Sequence, residues 1–192
     1  MIVSNRLKNG VLLAIFIQLA MPSMAQVKYH AKDDLQIVVS GTSTMHDWDM
    51  RTSKGESNAT VILNPNGRLT GLTALNFTVP AETLKSEHKG MDKNAYKALK
   101  TAEHNTISYI LSSATVDANG SIECQGKLSI AGTTLDADLT ATGQVNADKS
   151  ISVKGSKKIS MAAFNMKPPS FMLGTVKTGN DVTVQFNLTL RK

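Results

Sequence analysis

The sequence is short of the residues that cross-link a chain, break it or bind nucleic acid. Its 192 residues hold one cysteine, Cys124, so no intramolecular disulfide can form and stability must come from a core alone. Aromatic residues make up 5% of the chain, with one tryptophan, and the basic runs have no aromatics between them. Beyond residue 25 the arginines are Arg51, Arg68 and Arg191 alone. That combination is a poor nucleic-acid signature even though the formal charge is +6. Beyond the first twenty-odd residues, no apolar run approaches the length of a membrane helix. No G-x-S-x-G elbow and no H-x-H or H-x-x-x-H pair occurs.

The first thing present is a leader. Arg6 and Lys8 precede the apolar run from Val11 to Ala20, and Ser23-Met24-Ala25 places small residues before Gln26. A basic start, a short apolar core and a small-residue cut define a secretory signal peptide, too short to span a bilayer. Residues 1–25 are therefore expected to be removed on export to the periplasm, and residues 26–192 to form one domain. No Cys follows the apolar run, so no lipid anchor is expected.

Most of the remainder alternates apolar and polar residues with period two, the pattern of half-buried strands. Leu35, Ile37 and Val39 open the series, followed by a strand over Met45–Asp49 and another over Glu56–Leu63. Asn64-Pro65-Asn66-Gly67 is a turn, because Pro and Gly supply its backbone angles. Leu69 to Val79, His104 to Val116, Ile122 to Ile130 and Leu135 to Gly143 continue the pattern, then Ile151 to Gly155, and a separate piece over Lys158–Met161. Lys157-Lys158 reads as a solvated turn. Val182, Val184, Phe186, Leu188 and Leu190 form the clearest strand face of all. Cys124 alternates with Ile122, Gly126 and Leu128, which predicts a buried structural thiol.

Eight or nine antiparallel strands at hairpin spacing predict an all-β fold, and closure into a barrel of about eight removes the edges that would otherwise need protection. The predicted inward positions include Gly71, Ser113, Gly126, Ala137, Ala141, Gly143 and Gly155, which are too small to fill a barrel. They are consistent with a cavity, and the glycines equally with bends and bulges in the strands.

Two stretches break the β pattern. Ser86 to Glu103 lacks Val and Ile and spaces Met91, Ala95, Ala98, Leu99 and Ala102 as on a helix, predicted over Asp92–Lys100. Lys93, Lys97 and Lys100 lie on its outer side, while Met91, Tyr96 and Leu99 require an apolar surface, so it should lid or plug the barrel. Met161 to Gly174 packs three Met and two Phe beside Pro168-Pro169, which forbid a helix interior or central strand. It either caps the barrel or lines an entrance. Phe77, Tyr109 and Phe186 from the strands, Met91, Tyr96 and Leu99 from the helix, and Phe164, Met166 and Met172 from the loop are the candidate ligand-binding residues.

Four histidines, His30, His46, His88 and His104, invite a metal or general-base reading with Asp47 and Glu87. Neighbours on a strand point to opposite faces, so solvated or hydrogen-bonded histidines are the expectation, with no metal, no cofactor and no catalysis. Trp48 is expected at the core or rim.

Four blocks together resemble the YceI-like family of exported lipid-binding proteins. They are Gly41-Thr42-Ser43-Thr44-Met45-His46-Asp47-Trp48; Leu84-Lys85-Ser86 with Gly90-Met91-Asp92 and Ala98-Leu99-Lys100; Gly126-Lys127-Leu128-Ser129-Ile130-Ala131-Gly132; and Pro168-Pro169 through Gly174 to Thr178-Gly179. The resemblance covers nearly all of residues 26–192. It implies a lipocalin-like barrel whose long apolar cavity takes up polyisoprenoids or similar amphiphiles, without catalysis. The expected partner is an isoprenoid or other lipid-like small molecule, with transient membrane contact possible and no nucleic acid. The competing expectation is a structural or stress-related secreted β-protein with a filled interior, acting through a protein contact.

Overall fold

The computed structural model describes residues 25–171 and 174–192, so the expected leader, apart from Ala25, lies outside the described residues. Alternating sequence produces alternating burial throughout. In β7 (Ser121–Ile130), Ile122, Cys124, Gly126, Leu128 and Ile130 are buried while Glu123, Gln125 and Lys127 are exposed. The other strands are β1 (Ala25–Lys32), β2 (Leu35–Ser43), β3 (Trp48–Thr52), β4 (Glu56–Leu63), β5 (Leu69–Pro80), β6 (Thr106–Val116), β8 (Thr133–Val145), β9 (Ile151–Ser160), β10 (Ser170–Phe171) and β11 (Val176–Leu190).

Their pairing runs β1-β4-β5-β6-β7-β8-β9-β11-β2-β3, all antiparallel, with β10 beside β11. β1 leads directly into β2, and β3 into β4, across a kink where Asp33 takes a left-handed φ of 54° and accepts the Gly55 N–H at 3.2 Å. The Asp33 N–H in turn donates to the Gly55 carbonyl at 3.0 Å. Counting each bent pair once and setting β10 aside, the eleven strands form eight walls. They curl into a barrel, joined through the bent first strand and a bridge between His30 and Arg191.

The structure corrects several sequence expectations. β1 precedes the first expected strand. Met45 to Asp47 are a turn rather than a strand: the Ser43 hydroxyl accepts the Met45 and His46 N–H groups and donates to the His46 carbonyl at 2.7 Å, which ends β2 before β3 begins. The stretch from Ile151 to Ser160 is one strand, so Lys157-Lys158 is no turn. On β5, Thr60 pairs with Ala74 and Val61 with Leu72, so a bulge turns Leu72 inward in place of Gly71. A second bulge in β6 pairs Ser113 with Gln125 and sends its hydroxyl to that exposed amide, so Ser113 faces out and Ala114 takes the inner position.

Helix α1 spans Lys89–Leu99, starting three residues earlier than expected. Lys100, expected inside it, is the left-handed cap, with φ 53° and ψ 44°. Asp92 is buried and accepts both the N–H and the hydroxyl of Ser86, at 2.7 and 2.8 Å. That anchor fixes the first turn of the helix to the strand exit.

The core is one cluster on the inner wall, including Tyr29, Leu35, Ile37, Val61, Tyr109, Ile122, Cys124, Ile151 and Leu188.

Candidate functional site

The wall glycines do not leave the vacancy that their size suggests. A Cβ on Gly126 would lie 2.6 Å from the Tyr109 ring, one on Gly155 2.4 Å from Phe186, and one on Gly41 2.3 Å from Trp48. Each glycine makes room for an aromatic ring from another position, and rings thereby line the barrel without bulging its wall. The space lies between those rings and the lid, as an apolar cavity of about 550 Å³. This lies within the roughly 300–1,000 Å³ usual for small-molecule sites.

Phe77, Tyr109 and Phe186 line it from the strands, Met91 and Leu99 from α1, and Met166 from the segment after β9. Six of the nine expected residues therefore converge. Two do not. Tyr96 turns away to the chain before the helix, its hydroxyl reaching the carbonyls of Glu82 (2.9 Å) and Leu84 (2.8 Å) and accepting a hydrogen bond from Lys85. It anchors the lid rather than lining the cavity. Phe164 is buried, but behind the lining, where its short 3-10 turn packs against β8 and β9. Met172 lies outside the described residues.

The mouth is built by α1, the β2–β3 turn and the β9–β11 segment. Gly90, Asn94, Ala95 and Ala98 of α1 face the cavity, small residues that let the helix sit close over the opening. Trp48 packs at the rim and donates its indole N–H to the Thr42 carbonyl at 3.1 Å. Met45, 69% exposed, stands beside it. From the other side come Pro169 and Phe171, so the segment caps the barrel with Met161 and Phe164 while also lining the mouth.

Polar groups are few. His46 and His88 lie at the mouth, and the His46 Nδ1 is 2.7 Å from the Asp47 carbonyl. Among the described residues no group of three His, Cys, Asp or Glu side chains is gathered as a metal site. Within the cavity, burial pushes the Tyr109 phenol up to about 12, with the neighbouring Cys124 and Asp138 adding to it, and burial also raises the Cys124 thiol. Tyr109 donates to the Ala137 carbonyl at 3.3 Å. The Ser57 hydroxyl is wholly buried on the cavity wall and is the one buried side-chain polar atom without a partner among the described residues. Sequence reasoning also missed Leu72, hidden by the bulge, and Lys157, whose inward position follows once β9 is one strand: Ile151, Val153, Gly155, Lys157, Ile159.

An antiparallel sheet curled into a barrel around an apolar cavity, with a helix over its mouth, defines a lipocalin-like protein. The YceI-like domain matches residues 24–190, and the chain belongs to that family. Three solved structures share the fold. BcnA of Burkholderia cenocepacia is 13% identical with a TM-score of 0.65, covering 82% of this chain and 96% of its own. A polyisoprenoid binding domain from Saccharophagus degradans, implicated in plant cell wall breakdown, is 12% identical at a TM-score of 0.64, over 87% and 99%. The Campylobacter jejuni YCEI protein is 16% identical at 0.55, over 71% and 81%. No curated protein matches the chain significantly.

Proposed function

We propose that this protein is a binding protein or carrier for an apolar-chain amphiphile of polyisoprenoid, quinone or fatty acyl type, held inside the barrel. The observation that carries the reading is the cavity: about 550 Å³, lined mainly by Leu, Ile, Val, Met and aromatic side chains, and covered by a helix. Such a space fits a chain that needs no directional partners. At roughly 0.8 kcal/mol per buried methylene-sized carbon, a five-carbon prenyl unit gains about 4 kcal/mol before ordering costs. A few units suffice for tight retention. The Saccharophagus degradans relative, described as a polyisoprenoid binding domain, supports the same ligand class.

The carrier works without catalysis and in the periplasm, to which the basic and apolar stretch of residues 1–25 directs it. Osmotic-shock fractionation of cells making the full chain tests the location, and release with the soluble periplasmic fraction is the expected result. Titration with prenyl alcohols of increasing length tests the binding, read by the emission of Trp48, the sole tryptophan, at the cavity rim. Affinity should rise by at least about tenfold per added unit until the cavity is full. No binding at any length overturns the carrier reading.

A further inference from the structure

A single lysine interrupts the apolar wall. Among the described residues, Lys157 is the one Lys, Arg, Asp or Glu that lines the cavity. Its neighbour Lys158 points outward and pairs with Asp181 at 2.9 Å, so the nearest acidic group on β11 is engaged outside the barrel. Lys157 itself has no ion pair among the described residues. An ammonium against an apolar wall is costly unless it reaches water or an anion.

Its position in the sheet supplies the access. β8 and β9 pair only from Val145 and Ile151 up to Thr140 and Ser156. Lys157 is the next residue, at the point where the two strands part. The 3-10 turn Ala162–Phe164 packs against both strands above the parting. Lys157 is half-buried there, so that part of its side chain reaches solvent while part lines the cavity.

We propose that Lys157 is the head-group site of the cavity: its ammonium takes the anionic end, a carboxylate or a phosphate, of a single-tailed amphiphile whose chain fills the barrel. This rests on the carrier reading and adds to it the charge and position of the ligand's polar end. A cation on an otherwise apolar wall with no lining carboxylate selects against neutral and cationic heads of the same chain. Lysine suits either anion, because its ammonium binds as a point charge without the paired geometry that arginine imposes.

The test uses the purified full chain and two matched pairs of probes, palmitate against hexadecanol and geranylgeranyl phosphate against geranylgeraniol, kept below their aggregation limits and followed by calorimetry. The wild type should prefer the anion by about tenfold in at least one pair. The pair that shows the preference distinguishes a fatty-acid head from a phosphate head. Lys157→Met should abolish that preference while keeping alcohol binding, Lys157→Arg should keep it, and Lys154→Met, on the exposed face of the same strand, should leave it unchanged. A preference that survives Lys157→Met overturns the assignment, as does a wild type that binds alcohols and anions equally; in both cases the carrier reading stands. If none of the four probes binds, both fall.

Discussion

At the lower end of the barrel, tight turns at Asn64–Gly67, Asp117–Gly120 and Asn146–Lys149 are tied to one another and to the terminal strands. Arg68 donates to the Ala118 carbonyl, Gly143 N–H to the Gly120 carbonyl at 2.8 Å, and the Tyr29 hydroxyl to the Lys149 carbonyl at 2.9 Å, while Arg191 bridges Asp34 and Asp148. Two of the four connections at the upper end are far longer: the 25 residues from Ala81 to Asn105 that carry α1, and the segment after β9. The other two are short, the β2–β3 turn and Ala131-Gly132, both of the latter at positive φ. One end is knit shut by hydrogen bonds between backbone and side chains, and the other is covered by apolar pieces, α1 and the segment after β9. Stability should concentrate in the lower end and the walls, and ligand capture in the upper end.

Substitutions can separate those two roles. The largest effect is expected on the wall: Gly126→Val must displace both the Ile110 carbonyl and the Tyr109 ring from the new Cβ, costing about 3 kcal/mol of stability in denaturant unfolding. At the lid, Leu99→Glu should do the reverse, lowering lipid retention by at least about tenfold while the unfolding midpoint changes little, because a carboxylate at the mouth opposes an apolar chain. Unchanged retention in the folded variant would remove Leu99 from the site. Tyr29→Phe, which cuts the strap to Lys149, should cost about 1 kcal/mol and leave retention intact.

Alkali probes the inner wall. The Tyr109 phenol has a folded pKa of about 12, above the ordinary tyrosine value near 10. Below the unfolded value the phenol is protonated in both states and its contribution to stability is fully present. As pH rises from about 10 to about 12 the unfolded chain gives up a proton that the folded one keeps, so stability falls through that window. Ultraviolet titration should show Tyr109 ionising late, and Tyr109→Phe should flatten this part of the pH–stability profile. The smallest effect belongs to Ser57→Ala. Removing a buried hydroxyl with no partner should stabilise the protein, by up to about 1 kcal/mol.

Strand existence and the barrel were legible because period-two burial is a local signal, and the lid was legible because Ser86 to Glu103 changes composition sharply. What escaped was set by pairing. The bulges that turn Leu72 in and Ser113 out depend on what lies on the neighbouring strand, and sequence alternation alone carries no trace of it. Gly126 and Gly155 at inward positions pointed to a cavity for the wrong reason, since Tyr109 and Phe186 occupy the space they free. Tyr96 had the right helical face yet carries a hydroxyl that finds backbone carbonyls before the cavity. Lys157-Lys158 looked like a turn because two adjacent lysines are usually solvated, whereas on one strand they must face opposite ways.

The account turns on whether the space behind α1 holds an apolar chain. Native mass spectrometry of the protein purified from its own cells, followed by solvent extraction, asks this directly. A discrete added mass that extracts as a prenyl or acyl lipid is the predicted result. A clean apo mass that persists after incubation with quinones, prenyl phosphates and fatty acids would contradict it.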